Sequence, residues 1–377
     1  MPGIYLHIPF CKQACHYCNF HFSTSLRYKN ELIAALLKEI ELQQSFLRDQ
    51  LVETIYFGGG TPSLCTGEEI TNLIGKIRSC FRVAPGAEIT LEANPDDISI
   101  EKLVDWKKAG INRLSIGVQS FFEEDLRWMN RAHTAAQAME NLQLARTAFD
   151  NITIDLIYGT PQLTNEKWKQ NVDTAIRIGI PHLSCYALTV EPKTPLDKMI
   201  RAHKSAGIDA DKQSEQFLLL MQWMEEAGYD HYEISNFAKP GSRSRHNSSY
   251  WQGEKYLGFG PSAHSFDGRS RQWNISNNSQ YVEAINRGMV PFEQEFLTGI
   301  QQLNEYIMTS LRTAEGLDLL KAERITSGQD GVKQQLLAKG KKYIDNGLMK
   351  SVGQFLVLTS EGKLLADGIA ADLFWDQ

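Results

Sequence analysis

Gly3-Ile4-Tyr5-Leu6-His7-Ile8-Pro9-Phe10-Cys11-Lys12-Gln13-Ala14-Cys15-His16-Tyr17-Cys18 joins an apolar run, expected as a strand over Gly3–Pro9, to three thiols in CxxxCxxC spacing. Three thiolates on one short loop suit three irons of a four-iron, four-sulfur cluster and leave the fourth iron open to an outside chelator. Zinc is the alternative. It prefers four ligands, no second CxxC follows, and His7, His16 or His21 would have to complete the set. Cys65, Cys80 and Cys185 are scattered and read as small buried apolar groups. Six cysteines so unevenly spread do not form a secreted disulfide framework.

Outward from this segment, short β-branched runs alternate with longer stretches of helical period. Strands are expected at Gly3–Pro9, Val52–Phe57, Glu88–Ala93, Arg113–Val118, Ile152–Tyr158 and His182–Leu188. Leu32, Ile33, Leu36, Leu37 and Ile40 form one apolar helical stripe, and Ile70, Leu73, Ile74 and Ile77 a second. Further helices are expected at Ile100–Lys108, Ala135–Phe149 and Glu166–Ile178. This alternation predicts an α/β fold with parallel strands, a partial TIM-like (β/α)6 barrel, because six units do not close an eightfold one. After about Glu191 the rhythm changes. One helix is expected at Gln213–Ala227, one strand at Tyr229–Phe237 and an exposed loop at Lys239–Arg245. Beyond about Gln294, Leu303–Leu311 and Gly331–Asn346 read as helices, Met349–Leu358 as a hairpin and Leu364–Phe374 as another apolar stripe. The expected division is a core over 1–190, an extension over 191–294 and a small, mainly helical, winged-helix-like domain over 295–377.

The chain has 377 residues, 42% hydrophobic and 22% charged, an ordinary globular composition with room for two to three domains. A net charge of −6 argues against nucleic acid or an anionic membrane as the main partner. No apolar run approaches the ~20 residues of a membrane-spanning helix, and the N-terminus lacks the pattern of a secretory signal. A cytoplasmic location is expected.

With its flanking residues the cysteine loop resembles the signature of radical S-adenosylmethionine (SAM) proteins. Tyr5-Leu6-His7-Ile8-Pro9-Phe10-Cys11, Gly58-Gly59-Gly60-Thr61-Pro62, Glu92-Ala93-Asn94-Pro95, Gly117-Val118-Gln119-Ser120-Phe121 and Asp155-Leu156-Ile157-Tyr158-Gly159 are similar to the oxygen-independent coproporphyrinogen III oxidase family over roughly residues 3–270. The resemblance implies a [4Fe-4S] cluster on Cys11, Cys15 and Cys18, with SAM chelating the open iron. It also implies SAM contacts from Tyr5, Tyr17, Gly59, Gly60, Thr61, Glu92, Gln119, Arg131, Asp155 and Ala187. These residue types suit the task. Carboxylates and amides bind ribose hydroxyls, Arg pairs with a carboxylate, and glycines let backbone approach a ligand. Each quoted motif falls in or just after a different expected strand, and strand C-terminal ends open on one face of a barrel. His133, two residues after Arg131, is expected to be exposed.

Two departures from the oxidases resemble their HemW branch, the heme chaperones. Phe20 stands where oxidases carry a fourth cysteine, and the chain starts ten residues ahead of Cys11. His246-Asn247-Ser248-Ser249-Tyr250-Trp251 matches that branch's HNxxYW element, which implies heme contacts from His246, Tyr250 and Trp251, with His264 a second candidate. Chemically, imidazole is a competent heme ligand and flat aromatics suit a macrocycle. The expectation is a heme chaperone on a radical-SAM scaffold, with [4Fe-4S], SAM and heme as cofactors. Recipient hemoproteins and an electron donor are its partners, and homodimers are allowed. An oxidase of porphyrinogen propionates and a structural zinc protein are the alternatives.

Overall fold

The computed structural model describes residues 2–48, 50–326 and 331–375. Six parallel strands follow one another in space as in sequence: β1 (Gly3–Ile8), β2 (Val52–Gly59), β3 (Val83–Ala93), β4 (Arg113–Gln119), β5 (Ile152–Tyr158) and β6 (His182–Ala187). Their apolar runs are nearly continuous because both faces are covered, the outer one by crossover helices. The crossovers are α1 (Lys29–Leu42), α2 (Gly67–Cys80), α3 (Ile100–Ala109), α4 (Glu123–Trp128), α5 (Ala135–Ala148) and α6 (Asn165–Ile178). Polar side chains start most of them: Thr66 with Glu69 and Thr134 with Gln137 form capping boxes, and Ser99 and Thr164 cap α3 and α6. The expected strands and helices are thus present, with no end moved by more than five residues. The largest shift is at β3, whose first half, Val83–Ala87, is broken by the exposed Pro85 and Gly86 and so lacks an apolar pattern.

The open barrel continues beyond both edges. At the far edge β6 pairs antiparallel with β8 (Asn236–Ala238), which pairs with β7 (Asp230–Glu233). The single strand expected over Tyr229–Phe237 is therefore a tight hairpin. Its turn is held by Glu233, whose carboxylate accepts from Ser235 N and Asn236 Nδ2. At the near edge β9 (Tyr256–Phe259) runs parallel to β1, followed by antiparallel β10 (His264–Phe266), β11 (Ser270–Asn274) and β12 (Phe292–Phe296). One large hydrophobic cluster runs from Ile4 to Ile285 and includes the fully buried Trp106 and Trp168. A second lies under the C-terminal elements, from Leu303 to Leu373, with Ile234 packed against both. Those elements follow the order helix (Gly299–Leu311), strand (Leu317–Asp318), helix (Leu319–Ile325), helix (Val332–Asp345), strand (Met349–Val352) and strand (Phe355–Leu358), the succession a winged helix requires. Among the described residues no helix is long and apolar enough to cross a membrane.

Candidate functional site

The cysteine loop leaves β1 at Pro9 and rests on the C-terminal ends of the strands beside it. Cys11 N donates to Ser23 O and Ser23 N to Pro9 O, which closes the loop at its base. Lys12 pairs with Asp96 and Asp97 just past β3. Gln13 donates to Asn130, and Asn130 Nδ2 donates back to Ala14 O at 2.7 Å. These ties hold the thiols over one cavity of about 460 Å³ at the barrel mouth.

That cavity gathers most of the expected site. Cys11, Cys15, Tyr17 and Cys18 line it from the loop, Gly59, Gly60 and Thr61 from the end of β2, and Glu92 from β3. Gln119 follows from β4, Arg131 from the loop after α4, Asp155 from β5 and Ala187 from β6. Tyr5 stands behind this wall, stacked 6.1 Å from Tyr56 with its hydroxyl 3.2 Å from His7 Nδ1. The strand ends are shaped for close approach. Gln119 has a positive φ of 70°, unusual for a side chain bearing a Cβ and typical of functional strand ends. A Cβ on Gly60 would lie 2.7–2.9 Å from backbone atoms of Phe10 and Ile8.

Burial sets the electrostatics. Glu92 is pushed up to about 7 by desolvation, with nearby Asp155 adding to the shift, although Tyr56 donates to it at 2.8 Å and Gly59 N at 3.2 Å. Asp155 is raised to about 6 by desolvation, with Arg113 and Arg131 opposing. Desolvation also lifts Cys11 to about 11, with Cys18 and Cys15 adding to the rise. Metal binding at Cys11 therefore displaces a proton. Arg131 donates to Cys15 Sγ at 3.3 Å, to Asn94 Oδ1 at 2.8 Å and to Gly117 O at 2.7 Å, while its buried Nε has no partner.

The motif His246–Trp251 lies elsewhere, on the helix Arg245–Trp251, and the structure divides its residues. Tyr250 and Trp251 line a second cavity of about 690 Å³ between the barrel's extension and the helix Gly299–Leu311. His246 does not. It is buried behind Tyr250, with Nδ1 2.8 Å from Thr54 Oγ1, Nε2 2.8 Å from the Tyr250 hydroxyl and its ring stacked on Tyr56 at 4.9 Å. Burial pushes it down to about 3, with Arg113 adding to the shift. His264, on β10 beside Trp273, lines neither cavity. His133, expected to be exposed, is buried with Nε2 bonded to Val118 O, because the chain turns under β4 before α5. Cys65 and Cys185 are buried and Cys80 half-buried.

Asn94, Gly117 and Tyr186 also line the first cavity and were not singled out as contacts. The first two sit inside motifs already quoted. Tyr186 ends β6 next to Ala187, so strand-end position was the signal available for it.

The sequence model of the Radical SAM superfamily matches residues 5–175. Heme chaperone HemW of Mycobacterium tuberculosis is 34% identical, covering 98% of this chain and 94% of the relative. That of Bacillus subtilis is 33% identical over 98% of both chains. The chain belongs to the HemW family of the radical SAM superfamily. HemW of Escherichia coli is 31% identical over 97% of this chain and 96% of its own. Coproporphyrinogen III oxidase (HemN) from Escherichia coli superposes with a TM-score of 0.85 at 24% identity, covering 99% and 90% of the two chains, and so shares the fold. Membership in the superfamily brings a [4Fe-4S] cluster and SAM. The first cavity fits both. Three thiols from one loop line it, and a four-iron cluster takes one thiolate per iron and so uses three of them while leaving one iron open. The partnerless Arg131 Nε and the Gly59–Gly60 edge offer donors and room to a charged ligand.

Proposed function

We propose that the chain is a cytoplasmic heme chaperone on a radical-SAM scaffold, divided near residues 190 and 294. One observation carries the reading: three thiols, a guanidinium and two carboxyls from separate strands and loops meet in one cavity at the strand ends. Cys11, Cys15 and Cys18 would hold three irons of the cluster. When bound, the cluster and SAM together supply reductive carbon–sulfur cleavage chemistry. The chain's own work is positioning. Arg131 suits the carboxylate of SAM, Glu92 and Asp155 suit hydroxyls, and the backbone at Gly59–Gly60 suits the amine. Glu92, raised to about 7, retains a proton over part of the neutral range and so donates as well as accepts.

Heme would occupy the second cavity, whose size falls within the range of cofactor sites and whose wall carries Tyr250, Trp251, Tyr256 and Phe266. Tyr250 and Trp251 give it flat faces, and His246 fixes Tyr250 from behind. Phe20 supports a chaperone over an oxidase. It lines the mouth of the first cavity, 69% exposed, where oxidases carry a fourth cysteine. Heme would pass from here to recipient hemoproteins.

Anaerobic reconstitution of the full chain tests the reading. The wild type should hold about four irons with acid-labile sulfide and take up added hemin with a Soret band. Cys15→Ala should lose the cluster. Trp251→Ala should weaken hemin binding about 2- to 10-fold, and His264→Ala much less. One zinc in place of iron, or no hemin uptake by the wild type, would remove the proposal.

A further inference from the structure

Among the described residues Tyr186 alone lines both cavities. It sits at the C-terminal end of β6, paired in register with Ile157 of β5. The main chain there is fixed: the preceding residue, Cys185, donates its N–H to Ser235 O at 2.7 Å. The ring is less constrained, its phenol hydrogen-bonded to the neighbouring Ser184. It is 42% exposed although both neighbouring strands are buried, because open space adjoins it on two sides. Its phenol lies within electrostatic reach of Asp155 and Glu92, which line the first cavity, and of Glu233, which lines the second.

Resting on the reading that one cavity takes SAM and the other heme, we propose that Tyr186 is a shared wall that couples the two occupancies. A half-exposed aromatic ring held by one hydrogen bond at its phenol keeps part of its rotamer freedom, and a ligand packed on one face removes it. A second ligand on the other side then meets a ring already ordered, so the two bind with positive cooperativity and without any larger movement. Ordering one such side chain corresponds to a factor of about 2 to 10 in affinity. By linkage the factor is the same in both directions.

The test is a hemin titration of anaerobically reconstituted, unreduced full chain with and without saturating SAM, and the converse SAM titration with and without hemin. The wild type should bind each ligand about 2- to 10-fold more tightly when the other is present, with equal factors. Tyr186→Phe, which keeps the ring, should preserve the coupling. Tyr186→Ala and Tyr186→Leu should bring it to unity, each judged by its own single-ligand affinities, so that a change in one affinity is not mistaken for lost coupling. Equal hemin affinities with and without SAM in the wild type, or undiminished coupling in Tyr186→Ala, would overturn the proposal. Failure of the wild type to bind hemin under any condition removes the heme reading itself.

Discussion

Residues at the strand ends do the closest work, and glycine is the sharpest case. Gly60 turns the chain beneath the cysteine loop, and the atoms a Cβ would meet there belong to the backbone of Phe10 and Ile8, which cannot rotate away. Gly60→Ala should therefore shift the loop base, lower stability by about 1–3 kcal/mol and reduce iron content after reconstitution. Iron and sulfide assays alongside thermal unfolding check both effects. The same scale explains why His246 was legible as a motif residue and not by its surroundings. The motif implies a ligand, whereas an imidazole after a basic loop alone suggests a turn cap, and here Thr54 and Tyr250 occupy its two nitrogens. That enclosure depends on β2, almost two hundred residues upstream, and no local pattern encodes it.

Among elements, the attachment of α1 to the near edge of the sheet is the least expected from sequence. Glu39 belongs to the buried face of α1, an acidic residue in an otherwise apolar stripe. Its carboxyl accepts from Tyr281 at 2.5 Å, Gly260 N at 2.8 Å, Asn274 at 2.7 Å and Gln43 at 2.9 Å. Burial nevertheless raises it to about 7, outweighing the four donors. Between its unfolded pKa of about 4.5 and about 7 the folded chain keeps a proton that the unfolded chain has released. Stability from this group thus falls as pH rises through that window and levels off above it. Denaturant melts from pH 4.5 to 7.5 should differ in slope between the wild type and Glu39→Gln by this contribution, the slope common to both coming from Glu92, Asp155 and the buried histidines. That variant should also be less stable by about 1–3 kcal/mol, since an amide nitrogen would face donors.

At the scale of the whole molecule, two hydrophobic clusters meet at a narrow junction around Ile234. Beside it Arg312 reaches from the end of the helix Gly299–Leu311 to the buried Glu233, with Nε and Nη2 each 3.0 Å from Oε1. Removing the guanidinium leaves Glu233 buried without its cation, a change that costs about 3 kcal/mol. Arg312→Ala should lower the free energy of unfolding by that amount. It should also weaken hemin binding, because both residues line the second cavity. Full stability in Arg312→Ala would show that the clusters hold together without this pair.

The amino-acid sequence by itself determined the six alternating units, the cysteine spacing and the strand-end motifs. These are local: period, capping and spacing are properties of neighbouring residues. The family resemblance of those motifs named Glu92, Gln119, Arg131 and Asp155, and consecutive parallel strands bring the first, second and fourth of them to one face. Only the tertiary structure decided that Tyr250 and Trp251 face a cavity while His246 is sealed behind them, that His133 is buried, and that one phenol at the end of β6 borders two cavities. Those outcomes depend on which distant surfaces pack together after the sheet has formed, and side-chain access is a property of that packing rather than of any segment read alone.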